Sequence, residues 1–176
     1  MEKLEKFNTD QIRIVNDSVA MAEELASNFY KMSASQWLHR KYDVKTLADL
    51  CPEEIVRGPF AQIIRYKGQR KDTSLGSSTY DFYKICIQDH SILSTLKKSP
   101  SIKLFPFTLY IMVHELIHIV RFSKFLQSFD ALLEEKMVEE TRVHEKTHEI
   151  LSRVMVPGLA DVLKFYNKWH APFDRL

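Results

Sequence analysis

The chain has 176 residues, 45% hydrophobic and 27% charged, with only 4 glycines and 6 prolines. This balance suits one compact domain and excludes disordered, collagen-like and low-complexity classes. The 25 Lys+Arg and 23 Asp+Glu leave a formal net charge of +2, too even and too dispersed for a chain that works by gripping nucleic-acid phosphates. Two cysteines, Cys51 and Cys86, are too few for a disulfide framework, so a reduced, cytoplasmic setting is expected. The opening MEKLEKFNTDQIRIVND lacks an apolar signal core. The most apolar run, Leu104 to Val113, falls short of the roughly 20 residues needed to cross a bilayer. No nucleic-acid or membrane partner is therefore expected, and nothing in the sequence specifies an oligomeric state.

Taken in chain order, apolar residues recur every three to four positions from Asp10 to Lys31, which predicts an amphipathic helix capped by Asp10. Shorter helices are expected around Gln36 and Thr46. Phe60 to Lys67 and Tyr80 to Asp89 are rich in β-branched and aromatic residues and flank the polar stretch Gly68 to Ser78, which predicts a β-hairpin with a long, mobile tip. Alternation places Tyr83, Ile85 and Ile87 on one face and Phe82, Lys84, Cys86 and Gln88 on the other. A short helix is expected near Ile92, ahead of the breakers Pro100 and Pro106.

From Phe107 to the residue before Pro157 there is no glycine or proline. The likeliest-placed break is at Ser128 and Asp130, which predicts one helix over Phe107 to Gln127 and another, N-capped by Asp130, over Ala131 to Val156. A connection this short makes them antiparallel neighbours. Pro157 and Gly158 end the second helix, and a short one follows from Leu159 to Trp169. The expected organisation is one α+β domain, mainly helical, with a small antiparallel hairpin packed against the first long helix. Its parts are a helical N-terminal section at about 1–57, a hairpin at about 58–89, a helical pair at about 105–156 and a C-terminal helix at about 158–170.

The chemistry is concentrated in the helical pair. His114, Glu115, Leu116, Ile117 and His118 form an H-E-x-x-H sequence. On a helix the two histidines lie about 40° apart and one turn from each other, so their imidazoles can share a metal ion. Glu115 lies about 60° from His118, within reach of a metal-activated water as general base. Apolar residues surround the motif, and burying a carboxyl and two imidazoles costs several kcal/mol, on the order of 2–7 each, unless they are paired or ligated. The second helix must supply a third donor. With Glu140 as origin, its apolar arc runs from about −80° at Leu132 to about +60° at Met137 and Met155, which centres on Glu140. His144 shares that arc and is either an alternative third ligand, a partner that orients a ligand, or an interhelical hydrogen-bonding residue. Tyr83, Tyr110 and Arg121 are candidates for steadying an oxyanion or supporting the ligands, and Arg121 is equally suited to pairing with Glu140 or Glu115.

These residues resemble the zincin metallopeptidases, most nearly the gluzincin arrangement, in which H-E-x-x-H is followed about twenty residues later by a ligand glutamate on a second helix. Glu140 stands 22 residues after His118. The resemblance implies a zincin-like fold, one zinc ion held by His114, His118 and Glu140, and Glu115 as base in the hydrolysis of a peptide or protein. It also implies that Tyr80 to Asp89 is an edge strand that holds an extended substrate. The thermolysin-like N-E-x-x-S-D pattern is not matched, since Glu139 precedes Glu140 and His144 stands where the aspartate would be. Two other readings compete. Glu115/His118 and Glu145/His148 form paired E-x-x-H sequences, as in di-iron or di-manganese helical proteins. Alternatively, the pair forms a non-catalytic metal-binding interaction module.

Overall fold

The longest apolar helix sets the architecture. The computed structural model describes residues 3–33, 42–69, 79–124 and 126–168. The expected helix at Gln36, the hairpin tip beyond Gln69, and His39, Trp169 and His170 lie outside the described residues. The described elements run α1 (Thr9–Phe29), β1 (Tyr42–Lys45), β2 (Ala61–Gln69), β3 (Thr79–Ile87), α2 (Asp89–Lys98), α3 (Leu104–Ser123), α4 (Leu133–Leu151) and α5 (Leu159–Asn167). The fold is α+β, with five α-helices and a three-stranded sheet among the described residues.

Helix α3 is buried on nearly every side, from Pro106 to Arg121, and packs against α1, α4, α5 and β2. It is long and apolar enough to cross a membrane by length and composition alone, but 83% of its most apolar window is buried inside the fold. Expected as a breaker, Pro106 instead sits in the first turn of α3, where its missing N–H has no helical partner to lose. The cap of α1 also lies two residues before the expected one. Asn8, rather than Asp10, accepts from the Gln11 N–H while the Gln11 side chain accepts from the Asn8 N–H, a reciprocal arrangement worth about 1 kcal/mol.

The sheet is mixed rather than a bare hairpin. β2 and β3 pair antiparallel, with Ile63 opposite Ile85, and β1 adds in parallel to β3 from Tyr42↔Tyr83 to Lys45↔Cys86. Only a single-turn 3-10 segment, Leu47–Asp49, replaces the helix expected around Thr46. Both faces of β3 are covered. Tyr83, Ile85 and Ile87 face the helical core, while Cys86 and Gln88 are buried on the other face. There the 51–56 segment closes over the sheet through Glu54, whose carboxylate accepts from Lys84 Nζ, Tyr66 Oη and the Cys51 N–H at 2.8–2.9 Å. Cys51 itself is exposed, and both cysteines are free thiols. At the start of α2, the buried carboxylate of Asp89 accepts from the Phe7 and Leu47 N–H groups at 2.9 Å each, tying two distant segments together.

Helices α3 and α4 are antiparallel, as shown by the contacts Arg121 to Glu139, His118 to Glu140 and Tyr110 to His144. Helix α4 starts at Leu133 behind Leu132, with no side-chain cap. Asp130, expected as that cap, pairs with Arg65 on β2 instead at 2.8 Å. Gly158 caps the start of α5 at φ 82°, and a Cβ there would stand 3.3 Å from the Pro106 side chain. This position therefore requires glycine on both conformational and steric grounds.

Candidate metal centre

Three donor groups converge where α3 and α4 cross. His118 Nε2 lies 2.8 Å from Glu140 Oε1, His114 Nε2 lies 3.1 Å from Glu140 Oε2, and the two Nε2 atoms are 3.2 Å apart. Both histidines are buried at the helical interface, while the Glu140 side chain is 50% exposed. Among the described residues, this is the one group of three or more His, Cys, Asp or Glu donors close enough to share an ion. A tetrahedral zinc ion with bonds of about 2.0–2.1 Å spaces its ligand atoms about 3.3 Å apart. The observed separations need to open by only a few tenths of an ångström. Two imidazoles and a carboxylate are also a donor set that zinc accepts, with one position left open.

The electrostatics of the cluster follow from its burial. Burial works against the charge on His118, but the bond to Glu140, assisted by Glu115 and Gln127, pushes its pKa up to about 9. Glu140 is held well below the ordinary carboxylate range, because His114 and His118 outweigh the effect of burial. Glu115 moves the other way. Burial raises its carboxyl above the usual range, partly offset by His114 and His118.

The surrounding residues divide by what they touch. His118 Nδ1 lies 3.0 Å from Gln127 Oε1 in the α3–α4 loop, a contact that sequence periodicity could not foresee because Gln127 follows no pattern with the motif. His114 Nδ1 is buried with no hydrogen-bond partner. His144 Nε2 stands 3.7 Å from Glu140 Oε2, its ring is 4.3 Å from that of His114, and its Nδ1 lies 2.8 Å from Tyr110 Oη. His144 therefore adjoins the cluster without belonging to the group of three. Tyr110 stacks on Tyr166 at 3.7 Å and supports His144 from below. His148 contacts the His144 and Leu163 carbonyls at 3.0 and 3.4 Å, joining α4 to α5.

Several expectations require correction. Arg121 faces neither Glu140 nor Glu115. It pairs with Glu139, which is also bridged by Arg142 at 3.0 Å, so its charge is committed away from the cluster. Tyr83 stacks on Phe122 at 5.5 Å, and Phe122 in turn stacks on His118 at 6.0 Å; Tyr83 reaches the histidine through that ring. Glu140 does not centre the buried arc of α4, which comprises Glu139, Val143, Thr147, Ile150 and Leu151. That arc is rotated by about 50° from the one drawn through the apolar residues. Met155 and Leu133, which pulled the expected centre toward Glu140 from the positive side, are 98% and 68% exposed. Glu145, a member of the paired E-x-x-H reading, is exposed and stands outside the group of three. β3 is the central strand, not an edge, and β1 fills its side along Tyr83 to Cys86. The outer edge of β2, which borders α3, carries no strand partner among the described residues.

Comparisons with protein-family models, with curated proteins and with solved structures return no match for this chain.

Proposed function

We propose that this protein is a zinc-dependent hydrolase of the peptidase type, built on a zincin-like arrangement of α3 and α4. The observation that carries the reading is the convergence of His114 Nε2, His118 Nε2 and the Glu140 carboxylate within 2.8–3.2 Å, with Glu115 beside them on the same helix. When bound, zinc supplies a Lewis acid that polarises a carbonyl and acidifies a water. His114 and His118 hold the ion from α3, and Glu140 holds it from α4. The Glu115 carboxylate takes the proton from the attacking water and returns it to the leaving amine, a role suited to its raised pKa. Because β3 is filled on both sides along Tyr83 to Cys86, an extended peptide is best received along an outer strand. β2, which contacts α3 and has no strand on its outer side among the described residues, offers backbone groups that can pair with it.

The test is metal analysis joined to a cleavage assay. Purified protein reconstituted with zinc and desalted should retain one equivalent, and it should cleave members of a quenched-fluorescent peptide library until a chelator is added. Failure to retain zinc overturns the reading. One equivalent of zinc without turnover identifies a binding module instead, and two equivalents of iron or manganese identify the paired E-x-x-H arrangement.

A further inference from the structure

One loop contact has a consequence for how the cluster is held. The α3–α4 connection is fastened on both sides of Gln127. On one side the Leu126 N–H donates to the Arg121 carbonyl at 2.9 Å, and Arg121 Nη2 reaches back to the Leu126 carbonyl at 3.4 Å. On the other, Arg65 of β2 lies 4.8 Å over the Phe129 ring and donates to Asp130 at 2.8 Å, while Phe129 packs on Phe122 at 5.4 Å. Gln127 is thereby presented to His118, with its Oε1 3.0 Å from Nδ1.

An amide oxygen only accepts, so the proton of this bond belongs to His118 Nδ1. That leaves Nε2 as the atom that faces His114 and Glu140. We infer that Gln127 is the positioning residue of the cluster: by accepting from His118 Nδ1–H, it fixes both the ring plane and the nitrogen turned toward the metal position. The assignment rests on the zinc reading of the three donors. His114, whose Nδ1 has no partner, lacks such a brace, so His118 is the histidine of the pair that is held at its distal nitrogen. A partner that holds the distal nitrogen of a ligand histidine typically contributes 10–100-fold in metal affinity. A carboxylate at the same place accepts more strongly and makes the ring a better donor.

The experiment compares the full chain with Gln127→Leu and Gln127→Glu. In the metal-free protein, proton–nitrogen correlation of the histidine rings should show a slowly exchanging His118 Hδ1 signal that Gln127→Leu abolishes and Gln127→Glu retains, shifted downfield. Zinc affinity, measured by competition with a chromophoric chelator, should fall at least tenfold in Gln127→Leu and hold or rise in Gln127→Glu. Both variants should melt within a few degrees of the parent. A loop of purely structural importance would lower affinity in both variants and would not move the ring signal in opposite directions. Unchanged Hδ1 exchange in Gln127→Leu, or equal losses of affinity in the two variants, overturns the inference. If the parent protein binds no zinc, the hydrolase reading fails, while the ring signal still decides whether Gln127 fixes His118.

Discussion

Replacing Glu139 and replacing Glu140 should have opposite consequences, although the residues are adjacent. The Glu139 side chain is 9% exposed and its partner Arg121 is 8% exposed. Glu139→Ala leaves that guanidinium buried with the Leu126 carbonyl, 3.4 Å away, as its remaining hydrogen-bond partner. Stranding one member of a buried ion pair costs about 3–5 kcal/mol. The lost contact to Arg142, which is 47% exposed, adds no more than about 1 kcal/mol. At about 2–4 °C per kcal/mol for chains of this size, the melting temperature should fall by about 6–20 °C. Urea denaturation should show a lower midpoint with an unchanged slope. Glu140→Ala should weaken zinc binding at least tenfold, or about 1.4 kcal/mol. It should cost less stability than Glu139→Ala, because its imidazole partners can shed a proton when left alone whereas the Arg121 guanidinium cannot. A paired Arg121→Met, Glu139→Met variant removes both charges together and should recover most of the stability lost in Glu139→Ala. The reasoning is refuted if Glu139→Ala unfolds within 1 kcal/mol of the parent, about the size of an exposed pair, or if the paired variant is no more stable than the single one.

The remaining predictions concern the ligands, the base and the sheet. His114→Ala and His118→Ala should each abolish stoichiometric zinc retention on desalting, because two donors cannot hold a catalytic ion against buffer; retention of one equivalent by either variant would remove that histidine from the ligand set. Glu115→Gln should keep the metal and lose peptide cleavage, since the amide preserves shape but does not accept the proton; loss of zinc as well would make Glu115 a ligand. On the far side of the sheet, Lys84 and the Cys51 N–H hold Glu54 down to about 2 from an ordinary 4.5. A carboxyl depressed by folding contributes stability that is fully present above its unfolded value and lost as pH falls through the folded one. Thermal unfolding should therefore shift downward between pH 4.5 and 2, and Glu54→Gln should flatten that part of the profile; an unchanged slope would show that Glu54 does not govern it.

Local periodicity was enough to determine the existence of the long helices, the hairpin strands and the H-E-x-x-H pair, because these depend on spacing within a few turns. It did not determine the end of α4, which stops at Leu151 rather than at Val156, nor the segment near Thr46, which is a 3-10 turn. The pairing of α3 with α4 followed from the shortness of their connection, and with it the level of Glu140 relative to His118. The sequence was less informative wherever position depended on what lies opposite. β1 has only four residues, YDVK, without a run of strand-forming side chains, and exists through its parallel pairing with β3, a contact between segments far apart in the chain. That pairing turned an expected edge strand into a central one and left β1 and β2 as the outer strands among the described residues. Rotation of α4 was likewise set by its neighbours. Leu133 and Met155 weigh on the positive side of the apolar arc but are exposed, so the buried side lies toward Val143 and Ile150 and brings Glu139 in with them. Arg121 then had a buried counter-ion, and Gln127, nine residues beyond His118, could meet the ring because the connecting loop folds back over α3. Such contacts are decided by the closure of the chain on itself, to which the spacing of residues along one helix carries no signal.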